Sequence, residues 1–423
     1  MEAIGVNMLE KQGEMAIKHN KDVSLSYLFF TFFKIGLVSF GGHMALISVI
    51  QRVMVDRDRT IENDKIMECI GVASIMPGPL AVNVVGQAGY HLRKTSGALI
   101  STFAIILPAF LFMIGLTWMY FNNSQSVISG NAMTYVGCSV GAIILAAGWQ
   151  MFNKEIGGNF TKRIVFAVSL VIMLFTGNYI ATVLLLIGGA LVGALLDIQT
   201  NNNTAGMAAA SGYGPADKDL FGNQIFNKFI LVLLFLNQML FFGNATKAMD
   251  TGLLKLMMVF AGISLSLFGG GYVMIPIMES LFVNELHWVN NKEFVDAIAF
   301  SQATPGPILI SASFIGYKVA GIVGAILATI SIFAPSVFLV IVVSKYLNRF
   351  RENRLMVNSL TGVKVVVVAL ILVSAQKILI TGALNWIAAF IFGVSFLLSF
   401  RYKISPVYII LGSVSIGLVL NQF

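Results

Sequence analysis

The sequence predicts an all-α polytopic membrane protein made of two inverted-topology repeats, with helices that break or re-enter at Phe-Gly-Gly and Pro-Gly-Pro motifs. Three observations carry that expectation. Hydrophobic residues make up 57% of the 423-residue chain and charged residues only 11%, too few polar side chains to coat a water-soluble body of this size. Apolar runs long enough for a helix to cross the bilayer recur along nearly the whole chain, at about 20 residues per span. Finally, the chain repeats itself in one register.

The elements follow in order. Residues 1–22 carry charges and no apolar core, so they read as a cytoplasmic N-terminal segment and not as a cleavable signal. The first membrane repeat occupies 23–196, with apolar segments at about 25–50, 66–90, 95–121, 132–152, 164–176 and 178–196. Residues 197–225, with Asn201-Asn202-Asn203 and Pro215, read as a flexible cytoplasmic linker. An extra linking transmembrane helix is expected at 226–243, and the second, inverted repeat at 252–423. None of these runs alternates polar and apolar residues, so the strands of a membrane barrel fit worse than helices. Cys69 and Cys138 lie in or beside apolar stretches without metal-ligand spacing and read as small apolar side chains.

The repeat is defined by landmarks. Phe40-Gly41-Gly42 recurs as Phe268-Gly269-Gly270 and Pro77-Gly78-Pro79 as Pro305-Gly306-Pro307, both at an offset of 228; Glu68 matches Asp296 in the same register. One residue is then lost, because Gly89-Tyr90 matches Gly316-Tyr317 and Pro108 matches Pro335 at 227. Six segments plus one linking helix is an odd number, so the second repeat should enter the membrane upside down. Loop charge agrees, since cytoplasmic loops hold Lys and Arg. The uncharged stretch 122–131 corresponds to a loop with Lys345, Arg349, Arg351 and Arg354, while Lys154, Lys162 and Arg163 correspond to the neutral stretch 381–385. Neutral Gly177-Asn178 corresponds to Arg401-Tyr402-Lys403. The N-terminus is therefore expected in the cytoplasm and the C-terminus outside, in the plasma or inner membrane. One loop resists. Arg52, Arg57, Arg59 and Lys65 would lie outside if the first two segments cross fully, whereas re-entrant segments would remove the conflict and lower the crossings from 13 to 9. The sequence leaves both arrangements open.

The motifs point to chemistry because Pro removes an amide hydrogen and paired Gly weakens the helix, leaving open backbone within apolar segments. Such backbone is tolerated only where it is buried in protein or faces water, and free amides at a half-helix start favour an anion. The substrate-binding candidates are Ser39, Gly41, Gly42, Pro77, Gly78, Pro79, Asn83, Gln87, Gly269, Gly270, Gly271, Thr304, Pro305, Gly306, Pro307 and Ser311. Ser74, Ser301, Gln302 and Ser313 are further polar neighbours. The competing reading is that the glycines allow close packing and the prolines only kink their helices.

Phe40-Gly41-Gly42 with a downstream Pro77-Gly78-Pro79, repeated as Phe268-Gly269-Gly270-Gly271-Tyr272, then Ala303-Thr304-Pro305-Gly306-Pro307 and Phe314-Ile315-Gly316-Tyr317, resembles the signature of the chromate ion transporter family in its two-domain, long-chain form. The resemblance covers essentially the whole chain. It implies transport of chromate, with sulfate as a structurally similar oxyanion. The chain differs from the family pattern at His43, after the first glycine pair, and at Leu80, Ala81, Val82 and Asn83, after the first Pro-Gly-Pro.

Among charged residues, Lys34 and Lys364 lie in apolar surroundings, where they either offset anion charge or snorkel to the interface. Glu68 and Asp296 are either proton-coupling carboxyls or helix-end groups facing water, and His43 is either a proton acceptor or an interfacial side chain. The formal net charge of +8 is spread over short loops and does not form a nucleic-acid patch. The partners expected are a small inorganic oxyanion and the lipid bilayer, with a homodimer left open and no nucleic acid. No metal, no cofactor and no enzymatic activity are expected. With no nucleotide-binding loop in the sequence, the leading reading is a secondary transporter. A channel, an exchange carrier for another small anion and an intramembrane acid/base enzyme are the alternatives.

Overall fold

The computed structural model describes residues 23–40, 43–122, 132–176, 178–195, 252–267, 271–345, 354–380 and 385–420. The expected N-terminal segment, the linker at 197–225 and the extra helix at 226–243 lie outside the described residues. Among the described residues there are fourteen α-helices and no strand. The first repeat contains α1 (Leu25–Val38), α2 (His43–Ile50, continued by π-turns over Gln51–Arg57), α3 (Asn63–Ile75), α4 (Leu80–Asn122), α5 (Ala132–Glu155), α6 (Phe160–Thr176) and α7 (Tyr179–Leu195). The second contains α8 (Gly252–Ser266), α9 (Met274–Glu279, continued by π-turns over Ser280–Glu285), α10 (Asn291–Ala303), α11 (Ser311–Lys345), α12 (Arg354–Ile380), α13 (Trp386–Phe400) and α14 (Pro406–Leu420).

The duplication is written into the backbone. Helix α10 has the bounds of α3 shifted by 228, and the two π segments end in the same register. Arg59 and His287, one register apart, both have positive φ, as do Gly78 and Gly306. Inside α4 the helix is interrupted at Arg93-Lys94, and inside α11 at Ala320-Gly321, which is the shifted offset of 227. Each interruption is a reversal. A Cβ on Gly89 would lie 2.4 Å from the carbonyl oxygen of Gly97, and one on Gly316 would lie 2.4 Å from that of Gly324. Glycine at these positions lets the two arms of each broken helix lie against one another.

Helix ends show why the short helices pair. Ser24 caps α1 by accepting from the Tyr27 amide, and Asn290 with Glu293 forms a capping box at the start of α10. Tyr27, at the start of α1, donates its hydroxyl to Asp58, at the end of the α2 arm. Arg93 donates to the carbonyl of Val23. Lys318, at the end of the first arm of α11, pairs with Glu293 at the start of α10 at 2.8 Å. Likewise His91 is within electrostatic reach of Lys65 and Glu68. The short helices therefore form hairpins: α1 with α2, and α3 with the first arm of α4, have their open ends together and their glycine or proline breaks at the tips. Asp58, in the loop at that open end, is held below the usual carboxylate range by its bond to Arg57.

The long arm of α4 leaves this end of the molecule and reaches the open end of the second repeat's hairpin, where Tyr120 donates to Asp296 at 2.7 Å and Asn122 donates to Tyr317 at 3.1 Å. In return, the long arm of α11 brings Val340 against Val72 and Met76 of the first repeat. The two hairpin bases thus lie at opposite ends of a pair of antiparallel long arms, which is the inverted arrangement. Outside this centre the repeats exchange partners. Helix α5 packs against α13 and α14, and α12 packs against α6 and α7. Gly189, Gly193 and Gly362 bring α7 and α12 into backbone contact, while Ser139, Ser395 and Ser413 join α5, α13 and α14 by buried hydroxyl bonds.

Four helices among the described residues are long and apolar enough to cross a membrane: Leu80–Asn122, Tyr135–Glu155, Ile308–Ser344 and Asn358–Leu379. The outer surface is apolar, with Trp386 92% and Phe175 85% exposed alongside Phe103, Phe338 and Phe390. A body with large apolar side chains turned outward and serines turned inward has lipid as its solvent. Cys69 and Cys138 are both buried thiols.

Candidate functional site

The four motif regions meet at one place. Helix α3 stops because Pro77 forces Met76 out of the helical region, to φ −88 and ψ 145; Pro305 does the same to Thr304, at φ −84 and ψ 148. The next residue turns back with φ +105 at Gly78 and +116 at Gly306, a conformation that L side chains rarely adopt. Both glycine amides then cross between repeats. Gly78 donates to the carbonyl of Leu267 at 2.7 Å, and Gly306 donates to that of Ser39 at 3.0 Å. Leu267 and Ser39 occupy one register position, each immediately before its Phe-Gly-Gly break. Each Pro-Gly-Pro tip is therefore tied to the helix break of the opposite repeat.

Pro79, Gly271, Gly306, Pro307 and Leu46 line a small, mostly apolar cavity between these loops. It encloses about 20 Å³, room for roughly one water. Space is equally tight behind the tips. A Cβ on Gly78 would sit 2.0 Å from Ser336 Oγ, which itself bonds Ser264 at 3.0 Å, and one on Gly306 would sit 2.9 Å from Ala109 Cβ. The loops are closed on each other in this conformation.

The polar candidates divide into satisfied and unsatisfied groups. Ser39 donates to Ile35 O at 2.6 Å, Thr304 to Ser301 O at 3.1 Å, and Gln87 to the Met76 sulfur at 3.3 Å. Asn83 donates to Pro77 O at 3.0 Å, but its Oδ1 has no partner. Ser311 Oγ and both amide atoms of Gln302, a side chain 5% exposed, also lack partners. Asn83 and Ser311 share one register position, four residues after their Pro-Gly-Pro loops. Gly41, Gly42, Gly269 and Gly270 lie outside the described residues, as does the side chain of His43, which opens α2; Gly271 begins a short 3-10 turn before α9.

The charged candidates are not gathered with them. Lys34 is exposed on α1, within reach of Asp58. Lys364 is half-buried on α12 within reach of Lys162, toward the α5–α6 loop. Glu68 is half-exposed and paired with Lys65 at 2.7 Å, whereas its counterpart Asp296 is 1% exposed and bonded to Tyr120. Sequence reasoning missed Tyr120, Ser336 and Glu279. Glu279 is buried at the end of α9 with Lys377 3.9 Å away. An acid inside the apolar stretch from Met274 to Val283 was the signal available for it; nothing local marks the other two. Among the described residues no group of three His, Cys, Asp or Glu side chains is placed to hold a metal.

Inverted repeats, helices broken near the centre of an apolar body and a lipid-facing exterior define a polytopic integral membrane transporter. The profile of the chromate transporter family matches residues 26–194 and 254–418, so both repeats fall within it. The chain belongs to the chromate transporter family. It is 29% identical over 417 residues to an uncharacterized transporter of Methanocaldococcus jannaschii, covering 97% of this chain and 98% of that one. It is 27% identical to the chromate transport protein of Cupriavidus metallidurans over 401 residues, 94% and 93% of the two chains. A transporter of Bacillus subtilis is 30% identical over 154 residues, 36% of this chain but 86% of its own length, as a protein with a single repeat would be. No solved structure matches significantly.

Proposed function

We propose that this protein is a secondary transporter that moves a tetrahedral oxyanion, chromate first and sulfate by likeness of shape, across the plasma or inner membrane by alternating access. The observation that carries the reading is the reciprocal tie between each Pro-Gly-Pro amide and the opposite repeat's break. The Gly78 and Gly306 amides point across the two-fold centre and are engaged by carbonyls, and an anion arriving there would take over both. Two neutral hydrogen bonds would be exchanged for charge-assisted ones about twice as strong, so the exchange is favourable once the loops part. Gln302 Nε2 and Ser311 Oγ are unpaired donors flanking the second loop, ready to add to the same site.

On this reading the hairpins are re-entrant. The first repeat's hairpin bases then place Arg52, Arg57, Arg59, Lys65, Arg93 and Lys94 on one side with Val23, which removes the charge conflict of full crossings. That side is the cytoplasm, the chain crosses nine times with 226–243 included, and the C-terminus is outside.

Purified protein in proteoliposomes should take up labelled chromate saturably, with sulfate competing. Flux that stays linear with concentration, or none under any imposed ion gradient or counter-anion, would overturn the proposal. A thiol introduced at Ser126, in the uncharged loop, should react only from outside the cell.

A further inference from the structure

Glu279 is a buried acid with no part in the central anion site. It closes α9, midway along the second repeat's hairpin, where the α-helix passes into the π-turns of Ser280–Glu285. Its side chain is 7% exposed, and Oε1 lies 3.9 Å from the Lys377 ammonium in the last turn of α12. The buried hydroxyl of Ser374, one turn earlier on α12, donates to the same carboxylate. Beside it, Ser280 meets Thr182 of α7 at 3.4 Å, hydroxyl to hydroxyl. An ionised acid in an apolar body is costly unless it is paired, which makes an intramembrane carboxylate a functional candidate.

The parts that this pair joins set it apart. Arg57–Asp58, Lys65–Glu68, Lys318–Glu293 and Tyr120–Asp296 all stay within the hairpins and long arms. Glu279 instead reaches α12, which packs on α5, α6 and α7, while α5 packs in turn on α13 and α14. These helices form one frame around the hairpins and long arms, and the Glu279–Lys377 pair crosses the boundary between frame and centre. The first repeat has Gln51 in the register of Glu279, and its amide donates to the Met67 sulfur of α3, among the hairpins, at 3.7 Å.

The other titratable groups on the elements packed against α9 are Lys255 of α8, Lys292, Glu293 and Asp296 of α10, Arg354 and Lys364 of α12, and Tyr272 and Glu285 of the adjoining turns. Among the described residues, Lys377 is the charged group that acts on Glu279. Its ammonium takes the side on which a metal cation would bind, which leaves the proton as the ion that the carboxylate can accept.

We infer that Glu279 is the carboxylate that links a proton to transport: ionised, it holds the second hairpin to α12 through Lys377 and Ser374, and protonated, it gives up the ionic tie and frees the boundary. The proton adds to a carboxylate oxygen from water on one side and returns to water on the other, so no further reactant is needed. What is moved rests on the transport reading above, but the proton-released tie does not depend on it.

Infrared difference spectra of full-length protein in lipid, without solute, read the titration. Lowering the pH should bring up a protonated-carboxyl C=O band that Glu279→Gln removes. Lys377→Gln takes away the positive charge that favours the ionised acid, so the band should persist to higher pH. That shift is the independent readout should Glu279→Gln fail to fold. In proteoliposomes, an imposed pH gradient should drive chromate uptake by the parent and lose its effect in Glu279→Gln. Bands that Glu279→Gln leaves unchanged, a titration that Lys377→Gln does not shift, or gradient-driven uptake retained in Glu279→Gln would each refute the inference. Uptake that follows a sodium gradient in place of pH would refute it as well. If the parent moves no chromate while the Glu279 band titrates, the substrate fails and the proton-released tie stands.

Discussion

Gly78 has two separate reasons to be glycine, its φ of +105 and the hydroxyl of Ser336 where a Cβ would go, and they can be told apart. Gly78→Ala should cost roughly 2–5 kcal/mol, about 1–2 from the left-handed backbone and 1–3 from overpacking. Ser336→Ala should recover part of the steric share and none of the backbone share, read as thermal unfolding in detergent. Gln302 supports a prediction of opposite sign. Its amide is buried without partners, at a cost of about 1–3 kcal/mol per unmet group. Gln302→Leu should therefore unfold at a temperature equal to or higher than the parent and lose the stabilisation that chromate confers. A drop in stability with the chromate response intact would show that the amide serves packing instead. The loops around both residues were legible in the sequence, because the residue before proline and a glycine at positive φ obey rules that act within two or three positions. That the Gly78 and Gly306 amides are tied crosswise was not legible, since each bond joins residues far apart in the chain.

The reversals within α4 and α11 test the duplication at the scale of an element. Lys94 stands at φ 53 and ψ −142, and Gly321 at the equivalent position at φ 61 and ψ −150, a region accessible almost only to glycine. The first repeat therefore holds a strain of about 1–3 kcal/mol that the second avoids. Lys94→Gly should stabilise the protein by about that amount, measurable as a raised unfolding midpoint. No change would mean that interactions of the lysine side chain, such as its position over the Tyr90 ring at 5.8 Å, compensate. The sequence presents 66–90 and 95–121 as two separate apolar segments, and the reversal between them is consistent with that reading. The sequence does not reveal that α3 and the first arm of α4 form a hairpin before the long arm begins, because an apolar run has the same composition whether it continues straight or folds back.

Exchange of partners between repeats constrains how the whole molecule forms and moves. Helix α5 has its neighbours in the second repeat and α12 has its neighbours in the first, so the sequence halves are not separate bodies that rock against one another. Any relative motion must divide each repeat after α4 and after α11, separating the hairpins and long arms from the surrounding helices. Expressed alone, residues 1–196 or 226–423 should yield aggregated or protease-sensitive protein, whereas co-expression should give a complex that co-purifies through a tag on either half. A half-chain that behaves as a stable monomer would contradict the exchanged packing.

The sequence by itself determined the membrane setting, the duplication with its one-residue deletion, the inverted sense of the repeats and the loops where helices break. Each follows from composition, loop charge or backbone rules that act locally. Only the tertiary structure decided that the two Pro-Gly-Pro tips are tied crosswise, that Asp296 is buried under Tyr120 while Glu68 is not, and that the outer helices trade repeats. The physical reason lies in the solvent. In lipid, both the packed and the exposed faces of a helix are apolar, so no hydrophobic stripe tells which face meets which neighbour. That choice is made by small residues, such as Gly189 against Gly362, and by buried hydroxyls, such as Ser139 with Ser413, whose partners lie far away in the chain.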